Sequence, residues 1–181
     1  NSYLTLSDVD FIENEGQEYG GAISYYNKTL TIKDGCTFVR NRSTKRNGIV
    51  YGAVYLAGSS KCNIDGATFI DNIVSNSYEG KSADAYGASI YVNSSSSATI
   101  TNAVFSRSES NTGILAQRGG AIGVNGCTLT LKGNVTFQNC SAANFGGAIY
   151  LQGASTMNAD NSLFAKNSVV SGDRAGAVAV Y

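Results

Sequence analysis

The chain has 181 residues and a formal net charge of zero, because 13 basic and 13 acidic side chains cancel. This balance excludes the electrostatic footprint of a nucleic-acid-binding protein or of one held on an anionic membrane. Histidine is absent, which removes the usual general base and the commonest metal ligand. We therefore predict no enzyme, no metal site and no cofactor, and the chain contains no apolar run of the about 18 residues that a membrane-spanning helix needs.

Two short motifs recur along the chain. Gly-Gly-Ala-Ile occurs at residues 20–23, 119–122 and 146–149, with degenerate versions at 51–54, 86–88 and 175–178. Phe-x-x-Asn begins at Phe11, Phe38, Phe69 and Phe164, with altered endings after Phe105 and Phe137. A unit of 27 to 36 residues that recurs about six times predicts a solenoid, because such a unit buries its apolar face only by stacking on its neighbours.

Each unit contains three short segments with the alternation of β-strands. In the first unit, Ile23-Ser24-Tyr25 follows the Gly-Ala motif, Leu30-Thr31-Ile32 follows a turn, and a third segment contains Phe38. The same order recurs in the later units, and none of the segments is long enough for a helix. The sequence therefore predicts an all-β parallel β-helix of about six coils, with three short strands per coil and like positions stacked about 4.8 Å apart.

Stacking of like positions predicts two interior ladders. The first is aromatic and comprises Phe11, Phe38, Phe69, Phe105, Phe137 and Phe164. The second is formed by amides that bond the neighbouring coil and comprises Asn14, Asn41, Asn72 and Asn167, with Ser108 and Cys140 as small replacements.

One side of each coil has a nearly fixed length, and the other accepts insertions. From the Ala of Gly-Ala to the next Phe there are 16 or 17 residues, whereas from the end of Phe-x-x-Asn to the next such Ala there are 8 to 16. Insertions in repeat proteins collect on one face. We expect the side loops 42–51, 73–86 and 109–118 to form one cluster and to bind a partner, with Arg46, Tyr78 and Glu79 as candidate contacts.

A second candidate surface is a row of tyrosines. Tyr55, Tyr91 and Tyr150 occupy outward positions on one face, with Gly123 between the last two. Stacked tyrosines on an exposed sheet can hold a sugar or a protein partner. The alternative is cross-strand packing that stabilises the sheet.

The acidic residues and the cysteines are the remaining candidates for chemistry. Asp34, Asp65 and Asp160 each stand four residues before a Phe, which fits either a calcium or glycan contact or simple turn chemistry. The acidic residues between positions 8 and 18 fit either a cation site or a solvated edge. The four cysteines form no Cys-x-x-Cys motif and are predicted to be buried thiols, with at most one bridge.

Five Asn-x-Ser/Thr sequons begin at Asn27, Asn41, Asn93, Asn134 and Asn139. Asn27, Asn93 and Asn134 lie at predicted turns and are candidate glycosylation sites in a eukaryotic secretory pathway. Asn41 lies in the predicted ladder and is expected to carry no glycan.

The paired motifs resemble the repeats of the chlamydial polymorphic outer-membrane protein family, over nearly the whole chain. The resemblance implies a right-handed β-helical passenger displayed outside the cell, and autotransporters of that family also carry a C-terminal membrane barrel. It implies a non-enzymatic surface adhesin that binds a protein or glycan of a host or neighbouring cell.

An alternative is a structural subunit of an extracellular filament or sheath, which self-associates end to end through uncapped edges. An enzyme that acts on polysaccharides is a third reading, disfavoured by the missing histidine and the scattered acids. We expect the chain to be one β-helix segment of a longer protein.

Overall fold

The structure is a computed structural model that describes residues 3–45, 48–76, 84–111, 115–171 and 174–181. Strands make up the regular structure of these residues, because the Val-, Ile-, Thr- and Tyr-rich segments are short and bounded by turns. In chain order they are β1 (Tyr3–Leu6), β2 (Asp10–Ile12), β3 (Glu15–Gly16), β4 (Ile23–Tyr26), β5 (Thr29–Ile32), β6 (Thr37–Val39), β7 (Arg42–Lys45), β8 (Val50–Tyr51), β9 (Val54–Ala57), β10 (Lys61–Asp65), β11 (Thr68–Ile70), β12 (Ile73–Asn76), β13 (Ala85–Tyr86), β14 (Ile90–Asn93), β15 (Ser97–Thr101), β16 (Val104–Ser106), β17 (Ala116–Arg118), β18 (Ile122–Asn125), β19 (Thr128–Lys132), β20 (Val135–Gln138), β21 (Ser141–Phe145), β22 (Ile149–Gln152), β23 (Thr156–Ala159), β24 (Ser162–Ala165), β25 (Ser168–Val169) and β26 (Val178–Val180).

Three parallel sheets of six strands form the solenoid. Sheet 1 has the order β1-β5-β10-β15-β19-β23, sheet 2 has β2-β6-β11-β16-β20-β24, and sheet 3 has β26-β22-β18-β14-β9-β4. Each strand pairs with the equivalent strand of the next coil, so like positions stack as predicted. The all-β parallel β-helix is therefore confirmed.

The prediction of three strands per coil was incomplete. One or two further short strands lie between the Phe-x-x-Asn corner and the next Gly-Ala corner, and these strands pair in two additional sheets, β12-β7-β3 and β25-β21-β17-β13-β8. Parts of the predicted side loops thus form sheet, since β7, β8, β12, β13 and β17 lie within them. The physical reason is that backbone N–H and C=O groups of successive coils are satisfied by pairing wherever the coils stay in register.

The phenylalanine ladder forms the centre of the core. Consecutive rings from Phe11 to Phe164 stack with centroids 4.6–4.9 Å apart and interplanar angles of 6–9°. The four inner rings are fully buried. Burial of each ring contributes roughly 2–3 kcal/mol to the stability of the fold, because it removes apolar surface from water. This column is therefore a principal source of stability.

The asparagine ladder is also present. Asn41 is fully buried, donates from Nδ2 to the Phe11 carbonyl at 2.8 Å and to Asn72 Oδ1 at 3.0 Å, and accepts at Oδ1 from Asn14 Nδ2 at 2.8 Å. At the other end of the ladder, Asn167 Nδ2 donates to the Phe137 carbonyl at 3.0 Å. Amides therefore tie consecutive coils together inside the corner, as predicted.

All four cysteines are free and buried, in agreement with the prediction of interior thiols. Cys62 pairs in register with Leu30, and Cys140 occupies the asparagine column, where its backbone N–H donates to Asn167 Oδ1 at 2.9 Å. Burial raises the pKa of the Cys62 and Cys140 thiols to about 12. These thiols are therefore unreactive while the protein is folded.

Within the described residues, no helix has the length and apolarity that a membrane span requires.

Candidate binding surface

A second aromatic cluster lies outside the main core, against the outer face of sheet 3. Tyr55, Tyr91 and Tyr150 do occupy outward positions, since their neighbours along the strands lie in the main core. They are, however, only 2–3% exposed. The prediction of an exposed tyrosine row was therefore wrong for these three residues, and packing is their role in the structure.

The covering layer comes from the residue that directly precedes each Gly-Ala corner. Tyr19, Tyr51, Tyr86, Arg118 and Phe145 occupy this position, and parallel pairing brings them into one column. Tyr51 packs on Tyr91 with a centroid distance of 4.4 Å, and Tyr86 and Phe145 pack on Tyr150 at 6.1 Å and 5.7 Å. This column, the tyrosines that it covers and Tyr26, which packs on Tyr55, are hereafter the tyrosine ledge.

Arg118 takes the place of a ring in this column. Its guanidinium carbon lies 5.1 Å from the ring centroid of Tyr86, 5.4 Å from that of Phe145 and 5.8 Å from that of Tyr150. Nη1 donates to Tyr86 Oη at 2.6 Å, and Nη2 forms an ion pair with Asp84 at 3.0 Å. A planar cation therefore continues the aromatic stack where the sequence provides no ring.

Burial raises the pKa of several tyrosines in the ledge. Desolvation raises the pKa of Tyr86 to about 12, although the Arg118 charge opposes this shift, and it also raises the pKa of Tyr55 and Tyr91. The pKa of Tyr19 is raised first by its hydrogen bond with Glu18. The phenols of Tyr55, Tyr86 and Tyr91 therefore stay protonated to a higher pH than a solvent-exposed tyrosine does.

The ledge is exposed to solvent on the first coil, where Tyr19 is 41% exposed and Tyr26 is 50% exposed. Tyr26 and Tyr55 bring their hydroxyl oxygens to 3.4 Å, and Tyr19 packs on Tyr55 at 4.7 Å. An exposed aromatic pair supported by a buried aromatic base is suited to binding, because the rings are already held in place.

The predicted side loops are described only in part. Arg46, Tyr78 and Glu79 lie outside the described residues. The flanking strands of 42–51 and 73–86 lie beside each other through pairing of β7 with β12 and of β8 with β13. The described part of 109–118 ends at Arg118, within the ledge itself. The loop bases and the ledge therefore form one continuous side of the solenoid.

The acidic residues are engaged by neighbouring groups. Asp34 Oδ1 accepts from the Gly35 N–H at 2.9 Å, which is the turn chemistry that its spacing allowed. Asp65 accepts from Asn102 at 3.0 Å, and Asp71 accepts from the Ser108 N–H at 2.9 Å. Acidic residues between positions 8 and 18 interact with the next coil. For example, Oε1 of Glu13 lies 2.8 Å from Nε of Arg40. Among the residues described, no three His, Cys, Asp or Glu side chains are grouped so as to hold a metal ion.

The sequons differ in accessibility. Asn27 and Asn134 are exposed, and Asn93 is half-buried with Oδ1 accepting from Asn125 Nδ2 at 3.2 Å. Asn41 is fully buried, as predicted. Glycosylation of Asn27, Asn93 and Asn134 stays a prediction.

The roles of Tyr51 and Tyr86 were not predicted from the sequence. The signal was present, because an aromatic residue or arginine precedes every Gly-Ala corner from Tyr19 to Arg174. Aligning the coils on that corner places these residues in one column. The alignment alone does not predict that this column packs over the outer face of sheet 3.

The comparisons with known proteins agree with this architecture. The sequence model of the family described as "Right handed beta helix region" matches residues 52–177. No curated protein and no protein of solved structure matches the chain significantly.

Proposed function

The chain belongs to the right-handed beta helix family, and on this premise we propose that it is a non-enzymatic display segment on a cell surface, an adhesin that binds a protein or glycan of another cell. The resemblance of its repeats to those of the chlamydial polymorphic outer-membrane proteins supports this proposal. Extracellular localisation is part of the same proposal.

One observation carries the proposal, namely the concentration of variable segments and aromatic side chains on a single side of the solenoid. The phenylalanine and asparagine ladders keep the other parts of each coil uniform. On the variable side, the exposed ring of Tyr19 stacks on Tyr51 at the base of a side loop, and the exposed ring of Tyr26 packs on Tyr55. Binding residues are commonly carried by variable segments on a rigid scaffold.

The acidic side chains support a binding role over catalysis. Asp65, Asp71 and Glu13 each bond a residue of a neighbouring coil, so their carboxylates serve the stacking of the solenoid. A pair of carboxylates that works on a glycosidic bond needs instead to converge on a shared cleft.

An adhesion assay tests the proposal. Beads coated with the chain are expected to bind cultured cells more than beads coated with an unrelated protein. The Tyr19→Ser/Tyr26→Ser variant is expected to lose most of this binding, whereas Tyr3→Ser, which removes a more exposed tyrosine from sheet 1, is expected to retain it. Equal binding of both variants would remove the ledge from the proposal, and binding no greater than that of the unrelated protein would overturn it.

End-to-end self-association into a filament is the alternative and stays a prediction. Negative-stain microscopy over a concentration series distinguishes the two, since fibres with an axial repeat support the filament and separate short rods support the adhesin.

A further inference from the structure

Two tyrosines of adjacent coils bring their hydroxyl groups together on the outer face of sheet 3. Tyr26 belongs to β4 and Tyr55 to β9, and the two strands pair so that Tyr26 lies opposite Ala57 and Tyr55 lies opposite Ser24. The tyrosines are therefore diagonal neighbours on one face, a separation that aromatic side chains can span. Because Ser24 is small, it leaves room for the two rings to approach each other.

The geometry of this pair is close to that of two phenols joined by a carbon–carbon bond. Tyr26 Oη lies 3.4 Å from Tyr55 Oη, the ring centroids are 5.7 Å apart, and the ring planes are inclined by 51°. When two phenols are joined through the carbons ortho to their hydroxyls, the hydroxyls are also neighbours and the rings are also twisted. A movement of the Tyr26 ring toward Tyr55 would therefore bring the two ortho carbons into contact.

The hydroxyl groups of the neighbouring tyrosines interact with other residues. Tyr91 Oη accepts a hydrogen bond from Gln152 Nε2 at 3.4 Å. Tyr19 packs on Tyr55 with a centroid distance of 4.7 Å, but its hydroxyl bonds Glu18. Ring contact is thus common in the ledge, and the contact between two hydroxyls distinguishes the pair of Tyr26 and Tyr55.

The two rings differ in their access to solvent. Tyr26 is 50% exposed, whereas Tyr55 is 3% exposed. An oxidant in solution therefore reaches Tyr26 first, and Tyr55 is oxidised through its contact with Tyr26. Because Tyr55 is covered, it can couple with a ring that touches it but not with a tyrosine of another molecule.

We propose that Tyr26 and Tyr55 are a site of oxidative crosslinking, at which a haem peroxidase that uses hydrogen peroxide joins them as dityrosine. Fixed neighbours react far more readily than free ones, because the fold has already brought the reacting atoms together. The structure supplies the paired rings, and the peroxidase supplies the oxidising equivalents.

The reaction balances with one molecule of hydrogen peroxide. The first oxidation removes an electron from Tyr26, whose phenolic proton passes to solvent, and an electron and a proton then move from Tyr55 to Tyr26. A second oxidation of Tyr26 leaves one radical on each ring. The radicals form a bond between the ortho carbons, and the hydrogens of those carbons move to the phenolic oxygens. The pair thus loses two electrons and two protons, and hydrogen peroxide is reduced to two molecules of water.

The bond would connect β4 to β9 covalently, across a separation of 29 residues in the chain. Crosslinks that close a loop of the chain stabilise a fold chiefly by restricting the unfolded state. This inference concerns a reaction of the folded chain. It does not rest on the proposed function, and its test does not measure cell binding.

Treatment of the purified chain with a haem peroxidase and hydrogen peroxide tests the inference. The expected product is monomeric on a denaturing gel, is lighter by two hydrogen atoms and has the blue fluorescence of dityrosine. After digestion with trypsin, mass spectrometry is expected to show residues 1–28 joined to residues 47–61. In concentrated urea the yield of this product is expected to fall at least tenfold, because the fold no longer holds the rings together. Crosslinks between chains alone, or an equal yield in urea, would overturn the inference.

Single substitutions by phenylalanine locate the bond, because they remove a hydroxyl and keep the ring. Tyr26→Phe and Tyr55→Phe are each expected to lower the yield of dityrosine at least tenfold. The matched controls, Tyr19→Phe and Tyr51→Phe, change rings that also pack on Tyr55, at 4.7 Å and 5.2 Å, and are expected to crosslink as the wild type does. Wild-type yield in Tyr26→Phe, or loss of the bond in Tyr19→Phe, would contradict the assignment.

Discussion

The ring of Tyr91 occupies the space that Gly123, on the next coil, leaves open. A Cβ atom at position 123 would lie 2.7 Å from Cδ2 of Tyr91. The Tyr91 hydroxyl reaches past this coil and accepts a hydrogen bond from Gln152 Nε2 at 3.4 Å. The glycine thus allows one tyrosine to connect three consecutive coils of the ledge.

Replacement of Gly123 by alanine is expected to destabilise the protein by about 1–3 kcal/mol, because the added methyl group overpacks against the Tyr91 ring. Urea denaturation measures this change. If the clash is the cause, Tyr91→Leu in the same chain is expected to recover part of the loss, and the two substitutions will be strongly non-additive. Additive effects of Gly123→Ala and Tyr91→Leu would contradict this account.

The fold was predictable from the sequence to a large extent, and the ledge was not. Equal spacing from Gly-Ala to Phe predicted the register of Phe38 on Phe69, since a stacked solenoid admits one alignment of such repeats. The outward position of Tyr91 also followed from strand alternation. Its burial did not follow, because alternation separates the core from the outside but does not reveal a second layer such as Tyr51 and Tyr86.

Arg118 is expected to contribute more to the free energy of unfolding than an exposed arginine does. Arg118→Met removes the ion pair with Asp84, the hydrogen bond to Tyr86 and the stacking on three rings, with an expected cost of about 2 kcal/mol. Arg40→Met removes an exposed ion pair with Glu13 and is expected to cost less than about 1 kcal/mol. Thermal melts of the two variants make the comparison, and equal losses would show that the ledge position of Arg118 adds nothing.

Completion of the asparagine ladder is expected to stabilise the protein. In the present chain, Cys140 Sγ lies 3.5 Å from the Phe105 carbonyl that an asparagine amide would bond. Asn41, Asn72 and Asn167 each donate to the equivalent carbonyl one coil earlier. Cys140→Asn should therefore add about 0.5–1.5 kcal/mol to the free energy of unfolding.

Cys140→Ala provides the control for this substitution, because it removes the thiol without supplying an amide. It is expected to be less stable than the wild type. If the melting temperature of Cys140→Asn is equal to or lower than that of Cys140→Ala, the corner has no room for the amide.

Stability is expected to fall at high pH because of the ledge tyrosines. The pKa of Tyr86 is raised to about 12 in the folded chain, against about 10 for an unfolded tyrosine. Its contribution is fully present below pH 10 and is lost as the pH rises from about 10 to about 12, by on the order of 1–2 kcal/mol. Between pH 9 and pH 11.5, the urea midpoint of the wild type is expected to fall more than that of Tyr86→Phe. An equal fall in both proteins would exclude Tyr86 as a source of the pH dependence.

The central claim is that the ledge side of the solenoid is the functional surface, and site-directed blocking tests it most directly. The four native thiols are buried, so a cysteine introduced at Tyr26 or at Val104 can be coupled selectively to a polyethylene glycol chain. Val104 lies on the outer face of sheet 2, away from the ledge. In the bead adhesion assay, we predict that a polymer at position 26 abolishes cell binding and that the same polymer at position 104 leaves it intact. Undiminished binding with the polymer at position 26 would contradict the account.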